Sequence, residues 1–322
     1  MIIICEDKLL LNMFHEDIIQ NNKSTYISQI GVLTIKSLLP DNKIIGNRID
    51  YERFYEELKL WKYYRIGENE SLLNILDKEN PYIYFKERDN SICARIIPII
   101  VANKDFEIIE EEVIKNILFT TGSISDLLEW ILLSKIIDMM VFNQDNILDS
   151  AKDYLINISQ VDFLGKYRDL YTIPLTHFPG NFTVNFEKAR VDLISLLNGI
   201  DVNDYYYLKD IVNIIKEKEP ETLIGNIVYN ARIESNSFNK VNNFYHSMNA
   251  YTMRLRKGRV NPEVLTIDKY ILPDVFDFEE NEVFFHSLLK DSKVIKKEMS
   301  NNTLISSIKT KTGMYTFKKD LV

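Results

Sequence analysis

The sequence is poor in cysteine and contains no cysteine pattern typical of a disulfide framework or a metal knuckle. Only Cys5 and Cys93 occur in 322 residues, and two thiols so far apart form no Cys-x-x-Cys pair. The short apolar run at the start is followed at once by charged residues, unlike a signal peptide. No stretch approaches the ~18 uninterrupted apolar residues that would predict a membrane segment. We therefore expect a reduced, cytoplasmic protein without a membrane partner.

Glycine and net positive charge are also scarce, and each shortage argues against a class of function. Glycine contributes 10 of 322 residues, about half of the usual ~7%, so glycine-rich loops that cradle phosphate are not expected. The 39 basic and 47 acidic residues give a formal net charge of −8. An acidic surface does not attract a polyanion, so we expect no nucleic-acid partner.

Apolar residues recur at helical spacing through most of the chain. The clearest case is 123–141, where they follow the i, i+3, i+4 stripe after serines that can cap a helix. Tyr51–Tyr64, preceded by Asp50 as a cap, is a second helix. The same spacing predicts further helices over residues 27–39, 108–118, 186–197, 208–218, 221–231, 238–255 and 283–289. Only 82–86 and 315–318 are modest strand candidates.

These patterns predict an all-α protein with a compact, orthogonal multi-helix fold and a C-terminal extension. The helical domain is expected over residues 1–256 and the extension over residues 257–322. The boundary rests on Pro262, Pro273 and the acidic stretch 274–282. The basic cluster 254–259 is interpreted as a helix cap or as a contact for phosphate, for an acidic partner or for that acidic stretch.

Three segments resemble the ADP-ribosylglycohydrolase family. Residues 90–99 read NSICARIIPI, similar to the family's Asn-Gly-(Ser/Ala)-x-Met-Arg-(Ile/Val)-Ala-Pro-(Ile/Leu). Residues 118–122 lead into a long apolar helix, as the family's Leu-Thr-His loop does. Residues 60–65, LWKYYR, are similar to a family helix that ends in Trp-Tyr-(Arg/Lys). The resemblance covers about residues 20–145 and, more weakly, 220–256.

The resemblance implies an ADP-ribose ligand and a pair of magnesium ions held by carboxylates, but the carboxylates are missing here. Residues 25–28 read TYIS where the family has Thr-Asp-Asp-Thr. Counted from Ser237, the second metal motif falls on residues 249–254, again without an aspartate. Magnesium requires charged oxygen ligands, so we expect no metal and no cofactor in this chain.

We predict a catalytically inactive, ADP-ribosylglycohydrolase-like protein that binds an ADP-ribose-like ligand, an ADP-ribosylated protein or another protein partner. No catalytic or metal-binding residue is assigned. The expected ligand-binding residues of the degenerate cleft are Thr25, Tyr26, Ser28, Asn90, Ser91, Thr121, Tyr251 and Thr252. Arg95, a charge between apolar neighbours, is expected to act mainly as a buried internal strut.

Two alternatives remain open from the sequence. In the first, the protein is an active hydrolase that removes ADP-ribose from a modified protein or small molecule. Its rearranged site would draw acids from Glu16, Asp17 or Asp126, although Glu16 and Asp17 are expected to form a polar surface patch. In the second, the protein is purely structural, an assembly protein whose tyrosines fill the cleft.

Overall fold

The chain folds into a helical body followed by a small antiparallel sheet. The computed structural model describes residues 4–41, 43–232, 238 and 240–321, without the side chains of Lys78 and Val264. Fourteen α-helices, one two-stranded ribbon and one four-stranded sheet are formed within these residues. The expectation of an all-α fold is therefore wrong, because the protein is mixed α and β. No helix within these residues is long and apolar enough to cross a membrane.

The helices fill most of the chain before residue 257. They are α1 (Glu6–Asn21), α2 (Tyr26–Ser37), α3 (Tyr51–Tyr64), α4 (Glu70–Leu73), α5 (Pro81–Lys86), α6 (Ile92–Ala102), α7 (Phe106–Thr120), α8 (Ile124–Val141), α9 (Ile147–Ile158), α10 (Phe163–Tyr167), α11 (Phe182–Leu197), α12 (Tyr206–Ile215), α13 (Leu223–Asn230) and α14 (Asn243–Arg256). The ribbon joins β1 (Leu38–Pro40) to β2 (Asn47–Ile49) between α2 and α3.

The centre of the helical body is α6, which is buried along its whole length although it contains Pro98. Helices α1, α2, α7 and α14 pack around it. Gly31 of α2 lies close to α6 and α1, since a Cβ added there would lie 3.5 Å from the Ala94 carbonyl oxygen and 2.3 Å from Met13 Cε. A helix that is apolar on every side leaves no amphipathic stripe in the sequence, so the helical spacing did not predict α6.

Most helices predicted from their spacing are present, and two local predictions are wrong. Asp50 caps α3 by accepting a hydrogen bond from the Arg53 amide, and Ser123 caps α8 in the same way. Residues 82–86, a strand candidate, lie in α5, because the Asn80 side chain caps a helix with Pro81 in its first turn. Residues 283–289, predicted as a helix, begin with a strand.

The C-terminal sheet consists of four consecutive antiparallel strands joined by short turns. The strands are β3 (Val283–His286), β4 (Lys290–Ser300), β5 (Thr303–Thr310) and β6 (Gly313–Asp320), in the order β3-β4-β5-β6. Asn301 and Asn302 both have positive φ, of 47° and 63°, as a two-residue hairpin turn of type I′ requires. The candidate strand 315–318 lies in β6 and is confirmed.

One face of this sheet packs on α3 around a second apolar cluster, formed chiefly by Phe276, Phe284, Val294, Ile308 and Phe317 with Leu60 of α3. These inward residues alternate with exposed residues, many of them lysines. This alternation with a period of two residues is typical of a half-buried sheet. The all-α prediction did not take this pattern into account.

The acidic stretch 274–282 contacts lysines of this sheet. Asp274 pairs with Lys319 at 2.9 Å, and Glu279 pairs with Lys297 at 2.8 Å. In the basic cluster 254–259, Arg256 instead donates to the carbonyls of Ile100 and Asn103 at the end of α6. The acidic stretch therefore helps to attach the segment before the sheet to the sheet itself.

Candidate functional site

The N-terminus of α2, where the family has its first metal motif, is held by a buried carboxylate. Asp17, on α1, is fully buried. It accepts hydrogen bonds from the Thr25 amide at 2.8 Å and hydroxyl at 2.5 Å. It also accepts from the Ser28 amide at 3.2 Å and hydroxyl at 2.5 Å. The hydroxyls of Thr25 and Ser28, which were predicted to contact a ligand, therefore form hydrogen bonds inside the protein.

The expected surface position of Glu16 and Asp17 is wrong, since their exposed fractions are 6% and 0%. Glu16 accepts a hydrogen bond from Asn230 at 2.9 Å and lies 3.4 Å from His15. The last residues of α1 turn back through Asn22, whose φ is +55°. This turn brings α1 and the start of α2 together, so the two acids face inward.

Tyr26 fills the space beside the start of α2. Its side chain is half-buried, and burial raises the pKa of its hydroxyl to about 12, with further contributions from Cys93, Asp89, Asp17 and Tyr206. The ring lies against Gly67, where an added Cβ would come within 3.2 Å of the ring. The phenol thus stands among groups from α1, α6 and α12.

Arg95 is confirmed as a buried strut beneath this region. Its side chain is fully buried and donates to Asp89 at 2.6 Å and to the Thr120 hydroxyl at 2.7 Å. It also donates to the Asn116 side-chain and backbone oxygens, both at 2.6 Å. The guanidinium therefore joins α6 to α7 and to the loop before α6.

Of the other residues predicted for the cleft, Ser91 and Thr121 form hydrogen bonds inside the protein, whereas Asn90 lies at the surface. The Ser91 hydroxyl donates to Asp89 at 2.7 Å, and the Thr121 hydroxyl donates to the Tyr84 carbonyl at 3.0 Å. Both residues are buried. Asn90 is exposed and accepts a hydrogen bond from the Tyr207 hydroxyl at 3.3 Å. Of these three residues, only Asn90 presents its side chain to a ligand.

Tyr251 and Thr252 do not meet the start of α2. Helix α14 begins at Asn243, so both residues lie beyond its second turn, and the Thr252 hydroxyl bonds within the helix to the Met248 carbonyl. Tyr245, in the first turn of α14, hydrogen-bonds to Ser24, just before α2, and stacks on Phe14 of α1. Ser237, from which the second motif was counted, lies outside the described residues.

A cavity of about 520 Å³ lies beside Arg88, and we call it the Arg88 pocket. The first residues of α8 line it together with Arg88, Tyr206 and Lys188. Arg88 Nε lies 2.8 Å from Asp126, and its Nη2 pairs with Glu129. The third guanidinium nitrogen, Nη1, has no hydrogen-bond partner among the described residues.

The two acids behind Arg88 are buried on α8. Burial raises the pKa of Asp126 to about 7, against the opposing effect of Arg88 and of a hydrogen bond from the Asp89 amide. Burial also raises the pKa of Glu129, which accepts a hydrogen bond from the Leu208 amide at 2.9 Å. Arg88 pairs with both acids, and their charges offset part of its positive charge beside the pocket.

The side chains at the start of α2 do not fit a magnesium pair. Ile27 offers no oxygen, and the hydroxyls of Thr25 and Ser28 are directed at Asp17. Throughout the part of the chain that the structure describes, no three His, Cys, Asp or Glu side chains are grouped as a metal site. We therefore derive no chemical step through a metal ion.

No protein-family model matches the sequence, and no curated protein matches it either. The similarity to ADP-ribosylglycohydrolases thus depends on the short motifs in residues 25–28, 60–65, 90–99 and 118–122. The Arg88 pocket was not predicted from these motifs. Its walls come from four separated segments of the chain, and no local sequence pattern marks them as neighbours.

Proposed function

We propose that this protein binds an ADP-ribose-like ligand in the Arg88 pocket without hydrolysing it. One observation carries the proposal: the N-terminus of α8, the Arg88 guanidinium and the Tyr206 ring line the same cavity. The cavity volume of about 520 Å³ lies within the ~300–1,000 Å³ typical of small-molecule sites. The identity of the ligand as ADP-ribose comes from the family resemblance.

The phosphate part of such a ligand finds two kinds of positive group in the pocket. An 18-residue helix, α8, begins there, and its free amides and dipole favour an anion. Arg88 lines the pocket and pairs with Asp126 and Glu129 on its other side, and hydrogen bonds from a guanidinium to phosphate are among the stronger ones in proteins. Lys188 lies on the opposite wall.

An aromatic surface for the adenine lies at the same opening. The Tyr206 side chain is 44% exposed and lines the pocket, whereas Tyr205 beside it is buried. Stacking of a base on an aromatic ring contributes about 1–3 kcal/mol. Tyr206 and Tyr207 stand with ring centroids 4.0 Å apart, and this contact holds the Tyr206 ring at the rim.

The proposed absence of hydrolysis is supported by the hydrogen-bond and ion-pair partners of the acids that a rearranged site would use. Asp17 holds the start of α2, Glu16 is bonded to Asn230, and Asp126 is paired with Arg88. The three acids named for a rearranged site are thus engaged in holding the fold, while Asp192 and Asp204 line the pocket itself. A base that must activate water requires a free lone pair directed at the substrate.

We expect calorimetric titration with ADP-ribose to detect binding that depends on the rim of the pocket. Tyr206→Ala is expected to weaken binding by about tenfold or more, through lost stacking. Lys188→Ala is expected to weaken it several-fold, since an exposed charge contributes less than ~1 kcal/mol. Tyr82→Ala, at a 65% exposed tyrosine outside the pocket, is the matched control. Unchanged affinity in Tyr206→Ala would place the ligand elsewhere.

A second candidate function, assembly with an acidic protein, is favoured by the outer face of the sheet. Lys293 and Lys309 are exposed and lie directly opposite each other, with Val283 and Met314 at the two ends of the same row. Like charges placed opposite each other destabilise a sheet, so an acidic partner would relieve their repulsion.

We expect a fluorescent decaglutamate peptide to bind this face at low salt. The double variant Lys293→Glu with Lys309→Glu should abolish the change in anisotropy, because it reverses the charge of the row. Lys218→Glu, at an exposed lysine of the helical body, is the control. If Lys218→Glu weakened binding of the peptide as much as the double variant does, the proposed assembly with an acidic protein through this face would be wrong.

A further inference from the structure

A second and larger cavity lies where several helices end, away from the Arg88 pocket. It has a volume of about 940 Å³. The last residues of α6 and α14, and the last turns of α8, form its walls, and the loop between β1 and β2 forms its rim. Arg256 already donates to the Ile100 and Asn103 carbonyls at the end of α6, and the N-terminus of α7 also lines the cavity, so the side chains in the cavity decide which ligand it favours.

Asp138 of α8 is the unusual side chain in this cavity. The residue is only 4% exposed and lines the cavity. Among the residues that the structure describes, its carboxylate has no hydrogen-bond or ion-pair partner. Burying a carboxylate without a partner is costly, so this group is poised to accept a cation from outside the chain.

The two cations nearest to Asp138 are engaged elsewhere. Lys135, one turn earlier on α8, places Nζ 4.0 Å from the centre of the Phe106 ring. Arg256 of α14 donates to carbonyls at the end of α6 and lies 3.6 Å from Glu6. Neither cation comes within ion-pair distance of Asp138, although both affect its ionisation.

The remaining charged groups of the cavity stand at its entrance. Asp41 pairs with Arg48 at 3.2 Å, and Asp105 caps α7 through the Glu107 amide. Lys104 and Lys257 are exposed at the rim. A ligand with a second cationic end would be repelled by these two lysines, so a compound with a single cationic group fits better.

We propose that this cavity binds a guanidinium group carried on an aliphatic stem, with Asp138 as the carboxylate that pairs with it. A guanidinium donates two parallel hydrogen bonds to a carboxylate and is weakly hydrated, which suits a nearly buried partner. Ile45, which is fully exposed, and Phe142, which is 47% exposed, provide apolar rim contacts for the stem. The proposal is independent of ADP-ribose binding.

The ionisation of Asp138 makes guanidinium binding at this site depend on pH. Burial raises the pKa of its carboxyl to about 6, against Lys135 and Arg256, and Asp105 raises it further. The pairing requires the ionised form, so a bound guanidinium lowers this pKa. Binding should therefore strengthen as pH rises through about 6 and level off above it.

The test is a calorimetric titration of the full chain with butylguanidinium and with a blocked Gly-Arg-Gly peptide, at pH 5.0, 6.0 and 7.5. The neutral Gly-citrulline-Gly peptide has nearly the same shape and serves as the ligand control. We expect both guanidinium probes to bind more tightly at pH 7.5 than at pH 5.0, and the citrulline peptide to bind at least tenfold more weakly. Equal affinity for the two probes indicates a site for a free compound, and a much tighter peptide indicates an arginine side chain of a protein.

The variant Asp138→Asn keeps the shape of the side chain and removes its charge, so folding is preserved. It is expected to weaken guanidinium binding at least tenfold and to abolish the pH dependence. Asp149→Asn, at an exposed residue of α9, is the control and should bind like the unmodified protein. The proposal is overturned if no guanidinium probe binds, if citrulline binds equally well, or if Asp138→Asn has no effect.

Discussion

Replacement of Arg95 with leucine is expected to lower the free energy of unfolding by about 3–5 kcal/mol, the range for breaking a buried ion pair. The substitution removes a guanidinium that joins Asp89, Asn116 and Thr120. Asp89, itself 1% exposed, would then remain as a buried carboxylate without its cation. Urea unfolding followed by far-ultraviolet circular dichroism measures the effect.

The control for this prediction is Arg48→Leu. Arg48 also pairs with acids, at 3.1 Å to Glu111, but 31% of its side chain is exposed. Because solvent screens such a pair, we expect a change of at most about 1 kcal/mol. The double variant Arg95→Leu with Asp89→Asn should be less destabilised than the sum of the two single variants. A loss below about 1.5 kcal/mol for Arg95→Leu would contradict the role of the strut.

Asp17→Ala is expected to cost about 3 kcal/mol, because it leaves several donors at the start of α2 without an acceptor. The carboxylate accepts from the amides and hydroxyls of both Thr25 and Ser28 and from the Asn21 side chain. The same change should free Thr25 and Ser28 and loosen the attachment of α1 to α2.

The matched control is Asp50→Ala, which removes a helix cap with a single hydrogen bond, at 3.1 Å to the Arg53 amide. Loss of an ordinary cap costs about 1 kcal/mol. Denaturant unfolding of the two variants in parallel separates the anchoring role of Asp17 from simple capping. If both variants lose the same free energy, Asp17 does not anchor α2 in the way described above.

The helices that could be predicted from the sequence are those in which a capping residue precedes apolar residues at helical spacing. Helix α3 begins at the predicted cap Asp50, and helix α8 begins at Ser123, one of the two serines that could cap it. Helix α6 was not predicted, because its residues are buried on all sides. Of the sheet, only the segment 315–318 in β6 was predicted, because lysines separate the inward residues of the other strands.

The environment of a side chain was harder to predict than its helix. Asp17 accepts hydrogen bonds from Thr25 and Ser28. These donors come close to α1 because the chain turns back at Asn22, which has a left-handed conformation. The Arg88 pocket joins segments more than a hundred residues apart, and Asp138 is distinguished by being nearly buried without a partner among the described residues. Both features depend on tertiary packing, and no local pattern encodes them.

The central claim is that the protein binds an ADP-ribose-like ligand without a metal ion. Calorimetric titration with ADP-ribose, first in the presence of magnesium and then with a chelator, tests it most directly. We expect the same affinity in both conditions, because no three His, Cys, Asp or Glu side chains among the described residues are grouped as a metal site, and Thr25 and Ser28 are bonded to Asp17. Binding that magnesium strengthens, or no binding in either condition, would contradict it.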